Sequence, residues 1–195
     1  MRRMPDIRDA LLDAAYDVAV TTGWQRARMA DVAAAAGVSR QTLYDQFGGR
    51  EGVALHLALR ETTRFLDGVE RAMDRHPADV PAAIRAAAEY ALATARDNPL
   101  VRSILTENGD AGLLPYMTTR AEPMLAAARG RLVAYFAAHW PQVDTGAATE
   151  AAEVVVRLAL SYIVQPDPAP AAAAQRIAAT AARLLDLDAL EPRRV

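Results

Sequence analysis

The stretch from Met29 to Phe47, which reads MADVAAAAGVSRQTLYDQF, decides the fold of this chain. Its apolar spacing predicts two short helices joined by a tight turn, a helix-turn-helix. Such helices cross closely only where a small side chain lies at the contact, and Ala33 is the candidate. The turn needs a residue that adopts positive φ readily, which favours Gly37. Ser39 is typical of a residue that caps the second helix.

The second of these helices has an apolar side and a polar side. We expect the apolar side chains to face a small core, with neighbours from the first helix: Val32, Ala36, Val38 and Leu43. The polar side offers donors and acceptors that suit base edges and phosphates: Arg40, Gln41, Thr42, Tyr44 and Gln46. Arginine alone is typical of any solvated helix face. Phe47 is expected in the core, whereas Tyr44 fits either the core or the surface.

The rest of the chain is also predicted to be helical, because no segment shows the alternation typical of strands. Nine helices are expected at about residues 7–22, 29–36, 39–47, 50–75, 79–97, 99–107, 122–140, 146–165 and 171–187. Pro5 and Asp6 suit the first helix start and Gly23 its end. Gly109 to Pro115 is expected to be a loop. The predicted fold class is therefore all-α.

Composition narrows the class of protein. The 195 residues are 52% hydrophobic, which is typical of a globular chain, and no cysteine is present for disulfides or thiolate metal sites. No apolar stretch reaches the roughly 20 residues of a membrane span, and the charged start predicts no signal peptide. We therefore expect a cytoplasmic location. The net charge of −2 does not by itself indicate nucleic acid. All 22 basic residues are arginine, which favours a GC-rich genome over selection for phosphate contacts.

The helix-turn-helix and its surroundings resemble the TetR family of bacterial regulators over about residues 7 to 60. The matching residues are Asp31-Val32-Ala33, Ala36-Gly37-Val38-Ser39, Leu43-Tyr44 and Phe47, followed by Arg50 and Glu51 at the start of a long helix. The resemblance implies a DNA-binding domain at 1–48 and a ligand-binding and dimerisation domain at 49–195. The chain departs from the family pattern at four positions. Arg28 stands where a capping threonine is common, Gln46 where histidine is common, and Arg50 where lysine is common. Asp45 is the fourth departure.

The resemblance also implies roles for particular residues. Tyr44 and Arg50 would contact phosphates, while Arg40, Gln41 and Thr42 would approach bases. Arg28 is unfavourable for the helix dipole but well placed for a phosphate. Asp45 would either repel phosphates or accept from a cytosine amino group. The predicted DNA-contacting set is Arg28, Ser39, Arg40, Gln41, Thr42, Tyr44, Gln46 and Arg50.

Two further sets are predicted in the larger domain. An effector pocket, implied by the resemblance, would draw on bulky side chains that as single residues are equally typical of a core: Phe65, Leu66, Val69, Tyr90, Leu105, Met117, Met124, Trp140 and Tyr162. A homodimer interface would use residues at helical spacing near the chain end, which also suit the monomer's own core: Val154, Leu158, Tyr162, Ile177, Ala178, Ala181 and Leu184.

The expected function is a ligand-responsive DNA-binding regulator. The resemblance implies repression, because most members of the family are repressors. A mostly apolar or amphiphilic small molecule would release the protein from a palindromic operator. The alternative is a helical small-molecule-binding protein without operator binding. An enzyme is disfavoured because no catalytic residues are paired at a useful spacing. No cofactor is expected, nor a metal, since His56, His76 and His139 lie far apart in sequence.

Overall fold

The computed structural model describes residues 6–105 and 112–185. Nine α-helices lie within these ranges: α1 (Ile7–Thr22), α2 (Met29–Ala35), α3 (Arg40–Phe47), α4 (Arg50–Met73), α5 (Val80–Asp97), α6 (Pro99–Leu105), α7 (Glu122–His139), α8 (Thr145–Val164) and α9 (Pro170–Leu184). Short 3-10 helices cover Trp24–Arg26 and Leu114–Met117. The described ranges contain no strand, so the predicted all-α class is confirmed.

Helix ends follow the chemistry of their caps. Asp6 caps α1, because its Oδ1 accepts from the Arg8 backbone N–H at 3.1 Å, and the helix stops at Gly23 with φ of 79°. Asn98 ends α5 and also caps α6, since its Oδ1 accepts from the N–H groups of Leu100 and Val101 at 2.9 and 3.1 Å. α3 begins at Arg40, one residue after the expected bound, because Ser39 is the cap that precedes the helix.

Three expectations on helix and loop bounds need comment. Part of the expected loop Gly109–Pro115 is helical, because a 3-10 helix begins at Leu114. Residues 106–107 and 186–187, expected at the ends of two helices, lie outside the described residues, as do 109–111 of that loop and Pro5.

The chain forms two compact units. The first comprises residues up to Glu61 together with Asn98–Ala121, and it contains α1 to α3, the first half of α4, and α6. Its core is built from fully buried side chains that include Leu11, Trp24, Val32, Leu43 and Leu57. α6 packs on α1 and buries Leu100 and Ile104 in the same core. The predicted domains meet at residue 48, whereas the compact units divide within α4 and at either end of 98–121.

The second unit comprises Thr62–Asp97 and the residues from Glu122 onward. α5 packs on α9 and α8, and α8 packs on α7 and α9. α5 and α9 both contribute alanines that are almost fully buried in this core: Ala83, Ala87, Ala174, Ala178 and Ala181. The larger core side chains include Met73, Trp140 and Ile177. Among residues 6–105 and 112–185, no helix is long and apolar enough to cross a membrane.

The junction between α3 and α4 depends on Gly52. A Cβ at this position would lie 1.7 Å from the backbone carbonyl oxygen of Phe47, which no real side chain tolerates. The end of α3 therefore approaches the first turn of α4 more closely than any residue other than glycine permits.

We expect Gly52→Ala to lower the free energy of unfolding by at least about 2 kcal/mol, because the backbone of α3 must move away from α4. Thermal or denaturant unfolding followed by circular dichroism measures this loss. Gly130→Ala is the matched control: a Cβ there meets nothing within 4 Å in α7, so a gain of about 0.5–1 kcal/mol is expected. Equal stability of the two variants would contradict the close approach.

Candidate DNA-binding site and effector region

The turn between α2 and α3 has the geometry that the sequence predicts. Gly37 has φ of 70°, and the N–H of Val38 donates to the carbonyl oxygen of Ala33 at 3.0 Å. Ala33 is buried. Ser39 caps α3, because its Oγ accepts from the backbone N–H of Thr42 at 3.0 Å. The predictions for the turn and for this cap are confirmed.

The two sides of α3 separate as expected. Leu43 and Phe47 are buried in the core of the first unit, whereas Arg40, Gln41 and Gln46 are exposed. Tyr44 is 36% exposed, which settles the open choice between core and surface for its side chain. Thr42 is only half-buried, and its Oγ1 lies 2.8 Å from the Oγ of Ser39. The helix therefore offers a continuous polar face to solvent.

Two pairs of side chains one turn apart order this face. An Nη of Arg40 donates to the Tyr44 hydroxyl at 3.1 Å, and the guanidinium lies 5.2 Å from the centre of the Tyr44 ring. This hydrogen bond raises the pKa of Arg40 above its ordinary value, so the cation is retained. Nε2 of Gln41 donates to Oδ1 of Asp45 at 2.8 Å. Asp45, for which the sequence left two roles open, thus has a partner within its own helix.

Arg50 lies differently from the other predicted phosphate contact, Tyr44. Its guanidinium is half-buried, donates to the carbonyl oxygen of Ala27 at 2.5 Å and to that of Trp24, and lies 5.3 Å from the centre of a Trp24 ring. These bonds join the first turn of α4 to the segment that leads into α2. The placement favours a positioning role, and a phosphate contact by Arg50 stays a prediction.

Two more arginines of the first unit lie outside α3. Arg28 precedes α2, is exposed, and makes no side-chain capping bond. Arg8, which sequence reasoning missed, donates to the carbonyl oxygen of Gln46 at 3.4 Å and lies 4.8 Å from the centre of the Phe47 ring. It joins the start of α1 to the end of α3. A single arginine on a helix gives no sequence pattern from which this contact follows.

Comparison with protein families agrees with this geometry. Residues 11–57 match the family model described as bacterial regulatory proteins of the tetR family. Residues 79–183, more than half of the chain, match the model described as the C-terminal domain of the bacterial tetracyclin repressor. The chain belongs to the TetR family. It is therefore a helix-turn-helix transcription regulator, of a family that binds operator DNA and small-molecule effectors and acts as dimers.

Individual TetR-family proteins are similar over almost the whole chain. The HTH-type transcriptional regulator AlkX of Mycobacterium tuberculosis (strain ATCC 25618 / H37Rv) is 35% identical over 179 residues, which are 92% of this chain and 83% of that protein. The crystal structure of the TetR family repressor AlkX from Dietzia sp. strain DQ12-45-1b, implicated in biodegradation of n-alkanes, has a TM-score of 0.79 and 29% identity, covering 91% of this chain and 97% of that one. The fatty acid degradation regulator FadR from Bacillus halodurans, at 19% identity and a TM-score of 0.57 over 93% and 96% of the two chains, shares the fold.

The residues predicted to line an effector pocket in this TetR-family chain fall in both units. Those in or against the core of the second unit are Phe65, Val69, Tyr90, Trp140 and Tyr162, and Leu66 of the same unit is buried on α4. Leu105 and Met117 pack against the core of the first unit, and Met124 is half-buried on α7. Nε1 of Trp140 donates to the Pro77 carbonyl oxygen at 3.2 Å, so its polar group is satisfied within the protein. Their role as a pocket stays a prediction.

Polar groups of the second unit are paired with one another. Arg131 donates to Glu70 at 2.8 Å and to Asp67 at 2.6 Å. Burial, with a hydrogen bond to Asp74 at 2.8 Å, raises the pKa of Tyr135 far above its ordinary value, so the hydroxyl keeps its proton. These charges are therefore already neutralised locally. The described ranges hold no group of three or more histidine or acidic side chains that suits a metal ion.

The predicted interface residues divide by exposure. Ile177, Ala178 and Ala181 are at most 7% exposed within the chain's own core, where α9 packs on α5. Leu158, Tyr162 and Leu184 are half-buried against that core, and Val154 is exposed at 36% on α8. The alanines of α9 are thus used in packing within the unit. Val154 on α8 is the most exposed side chain of the predicted set.

We expect Arg50→Ala to lower the melting temperature and to weaken all DNA binding without changing how binding depends on salt, because the lost bonds are internal. Two hydrogen bonds from a charged donor that is half-buried are worth about 2 kcal/mol together. Arg50→Lys keeps the positive charge but not the planar guanidinium with its several donors, so it should recover only part of the lost stability and DNA binding.

The control is Arg28→Ala, which should reduce the slope of log affinity against log salt by about one, as loss of a phosphate contact does. Titrations at several salt concentrations measure both slopes. A slope reduced by about one in Arg50→Ala would instead assign Arg50 to a phosphate.

Proposed function

We propose that this chain is a homodimeric repressor that binds a palindromic operator and is released by a mostly apolar small molecule. The observation that carries the proposal is the exposed polar face of α3, which includes Tyr44 and is held on a capped helix-turn-helix. Two such heads related by a two-fold axis read inverted half-sites. We also propose that the repressor acts in the cytoplasm, because that is where a bacterial regulator meets its operator DNA.

The apolar character of the effector is inferred from the second unit. Its large side chains include Phe65 and Leu66 on α4 and the buried Trp140, which are apolar or aromatic. Arg131 is already paired with carboxylates, and Arg176 is paired with Asp167 and with the Tyr162 hydroxyl. A multiply charged ligand would need unpaired counter-charges at considerable desolvation cost.

The similarity to AlkX proteins narrows the chemical class of the proposed effector. The solved relative from Dietzia is implicated in biodegradation of n-alkanes. We propose that the effector of this chain is an aliphatic molecule, an alkane or an amphiphile derived from one, and that the regulated genes act on such molecules.

α4 is the proposed route of coupling. It is one continuous helix whose residues up to Glu61 belong to the first unit and whose residues from Thr62 belong to the second. An effector that favours one position of α4 over another would shift the equilibrium between DNA-binding and released states. A coupling of about 1–3 kcal/mol is sufficient, since it changes DNA affinity roughly 5- to 150-fold.

The test is a gel shift with the full chain and the DNA between its gene and the neighbouring genes, followed by addition of compounds. We expect a palindromic footprint, and release by medium- or long-chain aliphatic compounds that also raise the melting temperature. Phe65→Ala should weaken release but leave operator affinity unchanged without effector, while Arg96→Ala, an exposed change on α5, should alter neither. Release only by small, multiply charged compounds would refute the apolar effector.

For the dimer, we expect Val154→Arg to give monomers that remain folded and lose tight operator binding, because the charge would replace an exposed apolar side chain of α8 that the proposed dimer buries. Val154→Ala is the control that should remain dimeric. Ala178→Arg should instead unfold the second unit, since residue 178 lies in the monomer's core. Sedimentation equilibrium and circular dichroism distinguish these results; a dimeric Val154→Arg would place the interface elsewhere.

A further inference from the structure

The polar side chains of α3 are not equally free to contact a base. Thr42 is half-buried, with its backbone N–H and its hydroxyl both engaged by Ser39, so it completes the helix cap. Arg40 donates to the Tyr44 hydroxyl and lies against that ring. The Tyr44 hydroxyl, as acceptor in this bond, keeps its own hydrogen for a phosphate oxygen. Arg40 and Tyr44 therefore form a side-chain pair that suits contact with the DNA backbone.

Gln41 differs because its partner, Asp45, leaves one N–H and the carbonyl oxygen of the Gln41 amide available to contact a base. A glutamine amide has two N–H donors and one carbonyl acceptor. One N–H donates to Oδ1 of Asp45 at 2.8 Å, which fixes the plane of the amide. When Asp45 takes the N–H that points away from the carbonyl oxygen, the N–H beside that oxygen is left for DNA, and this donor–acceptor pair matches N7 and the N6 amino group of adenine in the major groove. Both side chains are exposed.

We propose that Gln41 is the principal base-reading residue of α3, that it specifies an adenine, and that Asp45 is the positioning residue that orients its amide. The proposal rests on the proposed operator-binding function and adds its specificity. Asp45 acts before DNA is bound: it removes rotamer freedom from Gln41 that would otherwise be lost on binding, and its negative charge reduces affinity for phosphate regardless of sequence.

The experiment uses the full chain and a pool of DNA with randomised half-sites. The wild-type chain first defines the operator, and competition binding then measures discrimination at each base pair for the variants. Gln41→Ala should lose about 5- to 150-fold discrimination at one adenine position only, the amount that one bidentate contact supplies. Asp45→Ala should lose about two- to twelvefold at that same position, the cost of ordering one flexible side chain.

Asp45→Asn is the matched control, because its amide oxygen still accepts from Gln41 while the charge is absent. It should keep the wild-type discrimination, and both Asp45 variants should bind all DNA more tightly at low salt. A variant that carries both Gln41→Ala and Asp45→Ala should lose no more discrimination at that position than Gln41→Ala alone. Circular dichroism should show unchanged helix content in each variant.

Three results would overturn the proposal: unchanged discrimination in Asp45→Ala, equal losses in Asp45→Ala and Asp45→Asn, or a guanine or pyrimidine preference lost in Gln41→Ala. A wild-type chain that selects no sequence at all would refute the operator-binding function and this inference with it. A wild-type chain that selects an operator while Asp45→Ala keeps its full profile refutes the inference alone.

Discussion

Close contact between the end of α3 and the first turn of α4 fixes the position of the recognition helix. Gly52 permits the contact, because its missing side chain leaves room for the Phe47 carbonyl group. Two residues earlier, Arg50 extends from the same turn to the carbonyl groups that precede α2. One turn of α4 thereby holds the end of α3 and the approach to α2. Any displacement of that turn is passed directly to the helix that faces DNA.

Much of the fold could be predicted from local chemistry. Asp6 and Ser39 each cap a helix through a side-chain oxygen, and such caps are visible in the sequence. Gly37 could be assigned to the turn because its position requires positive φ. The membership of α6 in the first unit could not be predicted, since its burial against α1 depends on contacts between residues distant in sequence.

The site was predictable in position but less so in the role of each residue. The exposed face of α3 follows from helical periodicity. A charged residue at the start of a helix, however, has the same sequence pattern whether its guanidinium points to solvent or to buried carbonyl groups, and Arg50 does the latter. Ala178 shows the same ambiguity for apolar residues: a small side chain on a broad apolar face suits either a partner subunit or the helix beside it.

The alanine packing between α5 and α9 has a consequence for how this protein can evolve. Ala83 on α5 and Ala174 and Ala181 on α9 have almost no exposed surface in this core, so each enlargement must displace its neighbours. Single-nucleotide changes in an alanine codon give Val, Thr, Ser, Pro, Gly, Asp or Glu, and nearly all of these are larger, charged or unfavourable in a helix. Sequence drift in this half of the chain should therefore concentrate on the outer faces of its helices, while the alanines between α5 and α9 change slowly.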